Sequence, residues 1–374
     1  MADDRKLFKD SLDRGAVKRL AKYVHEAQPG FDQAGFVRRA SRGLADLEMK
    51  ARVRHIASVL RAHLPEAYLD ALAVLVRAGA AWRSKIDDDP AGFAAWPLIE
   101  FVGWYGLDHA SESLEALRGL TGLFSAEFAI RPFIEQDQAG VLARLATWTA
   151  DADHYVRRLV SEGTRPRLPW AGRLRALQEE PRPALALLER LRDDESAYVR
   201  RSVANHLNDV AKDHAELVVA LCERWSRGAD GNRQALIRHA LRTLIKAGHP
   251  GAMAVLGFDP KAEVDVETLA VSPKRIALGE EIRIHIELVS RSRRTQKLVV
   301  DYAIHHVKKN GSRTAKVFKL RTLTLTPGQR VALDKVHGLR EITTRRYHSG
   351  RHAVEVLVNG HPRSQAEFDL RVPR

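Results

Sequence analysis

The chain has 374 residues, 45% of them hydrophobic, with 61 Lys+Arg against 47 Asp+Glu and a formal net charge of +14. Its one cysteine, Cys222, excludes a disulfide framework and any cysteine-rich zinc or iron–sulfur site, and no stretch approaches the ~20 uninterrupted apolar residues that span a bilayer. The length fits two domains or a repeat array with an appendage, Met1–Lys6 has no apolar signal core behind it, and the basic balance favours nucleic acid as partner, so a soluble cytoplasmic protein is expected.

From the N-terminus to about residue 258 the apolar residues recur at three- and four-residue spacing, as in Val53-Ile56-Leu60-Leu64 and Leu142-Leu145-Trp148, which predicts helices. Four short stretches share one pattern, an aromatic or small residue, one or two apolar residues, then arginine: Phe128–Arg131, Tyr155–Arg158, Tyr198–Arg201 and Ala235–Arg238. Helix pairs repeated at intervals of tens of residues are the mark of an α-solenoid, in which no repeat can bury its own face alone. The aligned arginines Arg131, Arg158, Arg201 and Arg238 are 27, 43 and 37 residues apart. Stacking would line them along one surface suited to a polyanion.

The long middle interval contains Glu162-Gly163-Thr164-Arg165-Pro166-Arg167-Leu168-Pro169-Trp170-Ala171. Two prolines forbid a continuing helix there. The segment reads either as a rigid, basic, Trp-bearing functional loop or as a plain connector with Trp170 in the core. Three acids beside the arginine-bearing helices stand out. Glu127 falls in the first turn of a second helix, with Ser125 as its N-cap in the structural reading. Glu162 ends the Tyr155–Ser161 helix. Asp209 follows Asn205-His206-Leu207-Asn208, and its structural reading is a solvated helix end. Singly each has an ordinary explanation; recurring on successive repeats of a basic face they do not, because carboxylates weaken phosphate binding.

The pattern changes near Phe258-Asp259-Pro260-Lys261. Beyond it, Glu281–Leu288 and Gly350–Gly360 alternate apolar and polar residues, and Asn310-Gly311, Pro327-Gly328 and Asn359-Gly360 supply turns. The predicted architecture is therefore multidomain, α then β: an α-solenoid over residues 1–258 and a small immunoglobulin-like β-sandwich over 264–374. From residue 264 onward there are 22 Lys+Arg and 11 Asp+Glu, a balance of +11, whereas the first 263 residues hold 39 and 36. His285, His305 and His306 lack metal-ligand spacing, Asp151-Ala152-Asp153-His154 reads as a helix start, and Asp87-Asp88-Asp89 as a solvated loop. No glycine-rich phosphate loop, nucleophile elbow or HExxH motif occurs.

With these segments in view, the chain resembles the AlkC branch of the AlkC/AlkD-type HEAT-like repeat 3-methyladenine DNA glycosylases. The resemblance runs through most of the chain. It is carried by Asp46–Ala57, Ser125–Phe133, Arg157–Trp170 and Tyr198–Asp209. The Glu-Phe-Ala-Ile-Arg-Pro and Arg-Leu-Pro-Trp segments within them are absent from generic HEAT repeats. Val299–Tyr302 through Lys316–Leu320 is similar to the immunoglobulin-like domain that some members append. The resemblance implies a glycosylase that removes cationic alkylated bases from double-stranded DNA without flipping them. On it, Glu127, Glu162 and Asp209 match the active-site acids and Trp170 the aromatic contact. Arg131, Arg158, Arg165, Arg167, Arg201, Lys212 and Arg238 are then expected to touch DNA, each either as a phosphate contact or as a structural ion-pair partner. N3-methyladenine is the expected lesion, with N3-methylcytosine a second. No cofactor, metal or membrane is expected, and the protein is expected to be a monomer associated with the bacterial nucleoid. The alternative reading is a noncatalytic HEAT-repeat scaffold binding DNA or protein. An RNA-binding solenoid would need stacking platforms that the chain lacks.

Overall fold

The computed structural model describes residues 7–259, 261–342 and 345–373. The chain falls into two compact units that divide between Asp213 and His214. The first unit is helical: α1 (Arg14–Ala27), α2 (Gln33–Ser41), α3 (Met49–Arg61), α4 (Tyr68–Arg83), α5 (Trp96–Tyr105) and α6 (Ala110–Leu120). It continues through α7 (Arg131–Gln136), α8 (Gln138–Trp148), α9 (His154–Gly163), α10 (Arg175–Glu179), α11 (Arg182–Leu191) and α12 (Ala197–Val210). The second unit opens with α13 (Ala215–Ser226), α14 (Gly231–Ala240), α15 (Arg242–Lys246) and α16 (Pro250–Val255). Its strands are β1 (Val264–Ser272), β2 (Arg275–Ala277), β3 (Glu281–Ser290), β4 (Gln296–Val307), β5 (Arg313–Leu325), β6 (Arg330–Gly338), β7 (Gly350–Val358) and β8 (His361–Arg371). The change from helix to strand falls where the sequence pattern changes, while the helices α13–α16 group with the strands rather than with the first unit.

Aspartates start several helices by accepting an otherwise orphaned backbone N–H. Asp13 does so for α1, Asp32 for α2, Asp137 for α8 and Asp153 for α9. Asp151–His154 is thus a helix start, as its sequence suggests. Asp87 and Asp88 are exposed, but Asp89 accepts the Tyr23 hydroxyl at 2.9 Å and its carbonyl accepts the Trp82 indole N–H at 3.0 Å, so that loop is tied down. The N-terminal helices join the stack: α1 packs on α2 and α4, and α3 on α5. Arg52, only 4% exposed, donates to the carbonyls of Lys9, Leu12, Ala45 and Leu47 and fastens the first segment to α3.

In the part of the first unit that matters most, α9 packs against α8, α11 and α12. Val156, Leu159 and Val160 on α9 are buried, as are Val199, Val203 and Leu207 on α12. Each such side chain contributes about 1.5–3 kcal/mol through area removed from water. At the C-terminal end of α9, Gly163 lies so near the segment before α7 that a Cβ there would meet Ile130 Cγ2 at 2.7 Å. Only glycine permits that approach.

The strands of the second unit form a three-stranded sheet, β1-β3-β6, and a five-stranded sheet, β2-β8-β7-β4-β5. All pairings are antiparallel except β2 with β8. The alternation read from Glu281–Leu288 is realised: Ile282, Ile284, Ile286 and Leu288 are buried against Val300, Tyr302, Ile304, Val354 and Val356. Turn residues Gly311, Gly328, Asn359 and Gly360 take positive φ, as the three sequence dipeptides require. The domain is an immunoglobulin-like curled sheet pair that follows a HEAT-like helical repeat region.

Candidate active site

The three acids singled out in the sequence lie along one chain of hydrogen bonds and ion pairs in the first unit. Glu127 accepts from the Ser125 hydroxyl at 2.7 Å and from Arg158 Nη1 at 3.0 Å. Arg158 in turn lies 3.6 Å from Glu162 Oε1. Glu162 accepts from Arg165 Nη1 at 2.6 Å on one oxygen and from the Ser202 hydroxyl at 2.6 Å on the other. Arg165 Nε donates to Asp209 Oδ2 at 2.8 Å, and Asp209 Oδ1 accepts from Lys212 at 2.9 Å. Acid and base alternate from Glu127 to Lys212.

Two details differ from the sequence reading. Glu127 stands in a turn over residues 126–130, and α7 begins only at Arg131. Ser125 therefore does not cap a helix; its hydroxyl holds Glu127. Asp209 is not a solvated helix end. It is 2% exposed in the last turn of α12, and Glu162 is 5% exposed in the last turn of α9. Buried carboxylates at helix C-termini oppose the helix dipole, so the two arginines and the lysine that face them are required partners. Burial works against the charge on Arg165, but Glu162 and Asp209 outweigh it and hold its pKa above the ordinary arginine value. His206, wholly buried one turn before Asp209, is pushed down to about 4 by burial, and its Nδ1 lies 2.9 Å from the Ser161 carbonyl.

The loop between α9 and α10 carries Trp170 at its tip. Trp170 is 58% exposed, so the connector reading with its ring in the core is not what the chain adopts. Its φ of 65 is a left-handed conformation that aromatic residues rarely take. The surroundings impose it. Arg131 donates to the carbonyls of Gly163, Arg165 and Gly172 at 3.1, 2.8 and 2.5 Å, and the Lys50 ammonium holds the Trp170 carbonyl. Leu168 and Leu174 are buried beneath.

Trp170, Glu127, Arg158, Glu162 and Arg165 line an open cleft of about 590 Å³. Beyond Trp170, its aromatic side was not read from the sequence. Trp96 stacks on Phe124, Phe128 and Trp170 with centroids 5.2, 5.1 and 6.5 Å apart and planes within 26°. Its indole N–H donates to the buried Glu100 at 3.0 Å. Tyr155 and Tyr198, read in the sequence only as repeat markers, stand exposed on the far wall, with the Arg158 guanidinium 4.4 Å from the Tyr198 ring centre. Their exposure was the available signal: aromatic residues opening two successive repeats sit one helical step from the core positions Val156 and Val199.

The cations divide by burial. Arg131 is 5% exposed and wholly occupied by loop carbonyls, and burial lowers its pKa to about 10. That is the position of a loop anchor: of the two roles expected for it, its burial favours the structural one, with loop carbonyls rather than acids as partners. The row of arginines along one surface is thereby broken at its first member. Arg158 and Arg165 are locked between acids, and Arg167 makes a two-point contact with Asp213 at 2.9 and 2.6 Å. Arg201 is exposed on α12, Lys212 is partly exposed, and Arg238 is exposed on α14 in the second unit. Among the described residues no group of His, Cys, Asp and Glu is arranged to hold a metal.

A HEAT-like repeat whose cleft gathers carboxylates, fixed guanidinium groups and aromatic faces, joined to a basic immunoglobulin-like domain, defines a nucleic-acid-directed class of repeat protein. The family model for the C-terminal Ig-like domain of the uncharacterised protein YhaZ matches residues 265–372. The uncharacterized protein YhaZ of Bacillus subtilis (strain 168) is 33% identical over 371 residues, which are 99% of this chain and 100% of that protein. The Pseudomonas fluorescens alkylpurine DNA glycosylase AlkC, solved bound to DNA containing an abasic site analog, is 40% identical with a TM-score of 0.92, over 98% of this chain and 100% of that one. The chain belongs to the AlkC family of HEAT-like repeat DNA glycosylases, in the form that carries a C-terminal Ig-like domain.

Proposed function

We propose that this protein is a DNA repair glycosylase that hydrolyses the N-glycosidic bond of cationic alkylated bases in double-stranded DNA, N3-methyladenine first and N3-methylcytosine second, without flipping the base. The observation that carries the reading is the run Glu127–Arg158–Glu162–Arg165–Asp209 at the edge of a cleft topped by an exposed Trp170.

The chemistry follows from charge. A methylated, cationic base is a good leaving group, and its departure develops oxocarbenium character on the deoxyribose, as in glycoside hydrolysis. Carboxylates already oriented by arginines stabilise that charge without reorganising. Glu162 lines the cleft and is the group that orients the attacking water; Asp209 does not line it and sets Glu162 through Arg165. The Trp170 face attracts the cationic sugar or base. An open cleft offers no enclosed base pocket of the kind used by enzymes that extrude their target, so the lesions served are those that leave with little help. Arg167, Arg201, Lys212 and Arg238 contact phosphates, and the +11 balance beyond residue 264 supplies the sandwich's share of the grip. In functional terms we assign the glycosylase to residues 1–258 and the added DNA grip to 264–374. A cytoplasmic, nucleoid-associated monomer fits this reading; no helix among the described residues is long and apolar enough to cross a membrane.

The test is single-turnover base release from methylated duplex by the wild type, Glu162→Gln and Asp209→Asn. The expected result is a loss of about 10²–10³ in rate in the Glu162 variant, a smaller loss in the Asp209 variant, and unchanged DNA binding in both. A wild type that releases nothing would leave a binding scaffold, and efficient release of uracil or hypoxanthine would remove the charge argument.

A further inference from the structure

A polar seam runs along α12 beside its apolar one. Ser202, His206 and Asp209 fall at i, i+4 and i+7, so they share one side of the helix, and all three are buried. Each meets the end of α9. His206 Nδ1 donates to the Ser161 carbonyl at 2.9 Å, and Asp209 accepts from Arg165 at 2.8 Å. The Ser202 hydroxyl donates to Glu162 Oε2 at 2.6 Å. Behind it, the Ser161 hydroxyl lies 2.6 Å from Ser202 Oγ and 3.0 Å from the Arg158 carbonyl. An ionised carboxylate only accepts, so the Ser202 proton points to Glu162 and the Ser161 proton is left to back Ser202.

Glu162 is therefore held at both oxygens, by a guanidinium on Oε1 and a hydroxyl on Oε2. Arg158, at 3.6 Å from Oε1, is too far for a hydrogen bond. The last torsion of a glutamate is broad, so one held oxygen leaves the carboxylate plane free to swing and two fix it. An ionised carboxylate has about four lone-pair sites. Arg165 and Ser202 occupy one on each oxygen, and the site left on each then keeps a fixed direction. Among the described residues Ser202 is the neutral member of this set. Deleting its hydroxyl breaks no ion pair: Glu162 keeps Arg165, and Ser161 keeps the Arg158 carbonyl. Alanine at this position also keeps the packing of α9 on α12.

We propose that Ser202 is a positioning residue of the glycosylase: it sets the plane of the Glu162 carboxylate, so that a lone pair is aimed at the attacking water. The inference rests on the reading of Glu162 as the group that orients that water. Ser202 is not among the residues that line the cleft, so it acts through Glu162 and not on the DNA. Its contribution is geometric. Charge at the cleft is supplied by the acids and arginines, and the hydroxyl decides where one of those charges faces.

Single-turnover base release from methylated duplex, at saturating full-length protein, tests the role alongside DNA affinity. Ser202→Ala is expected to slow release between about tenfold and a hundredfold, the scale of a misplaced reacting group, with DNA affinity unchanged. Ser202→Thr keeps the hydroxyl and is expected to recover most of the rate. Release by Ser202→Ala at the wild-type rate overturns the proposal, and so does a Ser202→Thr protein as slow as Ser202→Ala. A loss that appears in DNA affinity and vanishes at saturation also overturns it, because Ser202 would then be shaping the DNA surface. Should either variant fail to fold, Ser202→Cys decides, being nearly the same size and a weaker donor: slower release is expected, and a wild-type rate overturns the proposal. A wild type that releases no base removes the glycosylase reading and this role with it, whereas equal release by wild type and Ser202→Ala removes this role alone.

Discussion

Arg165 has the most exacting position of any side chain in the cleft. It is 7% exposed and its guanidinium spans Glu162 and Asp209, which are on different helices. Removing it leaves two buried carboxylates short of a partner, and breaking a buried pair in this way costs about 3–5 kcal/mol. Arg165→Ala is therefore expected to lower the midpoint of urea unfolding and to slow base release together. Arg165→Lys keeps the charge and loses the fork that reaches both acids; it should recover much of the stability and little of the rate, and equal recovery of both would show that charge alone suffices. Trp170 separates the two properties in the other direction. A non-glycine residue at φ 65 costs about 1–2 kcal/mol, so Trp170→Gly should leave stability within about 1 kcal/mol of wild type, its relief of strain offset by added chain freedom. Loss of a π face worth about 1–2 kcal/mol should still slow release about tenfold. At this scale the acids were legible in the sequence because they recur beside aligned arginines. The burial of Asp209 was not, because a helix-end aspartate reads the same whether the next element covers it or leaves it in water.

Among elements, the two prolines after α9 announced a break, and the break is there. What they could not announce is that the loop is held from below by Arg131, which lies more than thirty residues earlier. The four-fold pattern ending in arginine suggested equivalent positions. The first copy falls in a turn before the short α7 and its arginine turns inward, whereas the second and third fall on α9 and α12. Periodicity reports which residues share a helix face; it does not report which neighbour that face meets. The strands were easier to read, since alternation such as Ile282-Ile284-Ile286 has one solution once a single face is buried. Trp96 and its stack went unread for the same reason as Arg131: α5 is apolar on nearly every side, so its sequence marks no face as special.

On the scale of the whole molecule, charge and buried histidines set the response to solution conditions. DNA affinity should fall linearly with salt on logarithmic axes, with a slope near −0.9 for each phosphate neutralised. Replacing the exposed Arg293, Arg294, Lys308 and Lys309 by Glu should weaken binding and flatten that slope; an unchanged slope would remove the sandwich from the DNA contact. Burial lowers His206 to about 4, His337 to about 4 and His306 to about 3. An unfolded chain takes up these protons near 6.5 and the folded one resists, so stability is full above that value and is lost as pH falls toward 4. Thermal unfolding at pH 7.5 and pH 5 should show the drop, and His206→Asn should reduce it.

Gly163, by having no side chain, lets the end of α9 that carries Glu162 approach the segment that carries Glu127. Glu162 is its neighbour in sequence, and Ile130, which it touches, stands three residues from Glu127. A single methyl group at that point would act as a wedge, prising the segments apart without removing any charged group. Spacing within the cleft is thus written partly in empty volume, and a hydrogen atom at one backbone carbon serves as its gauge.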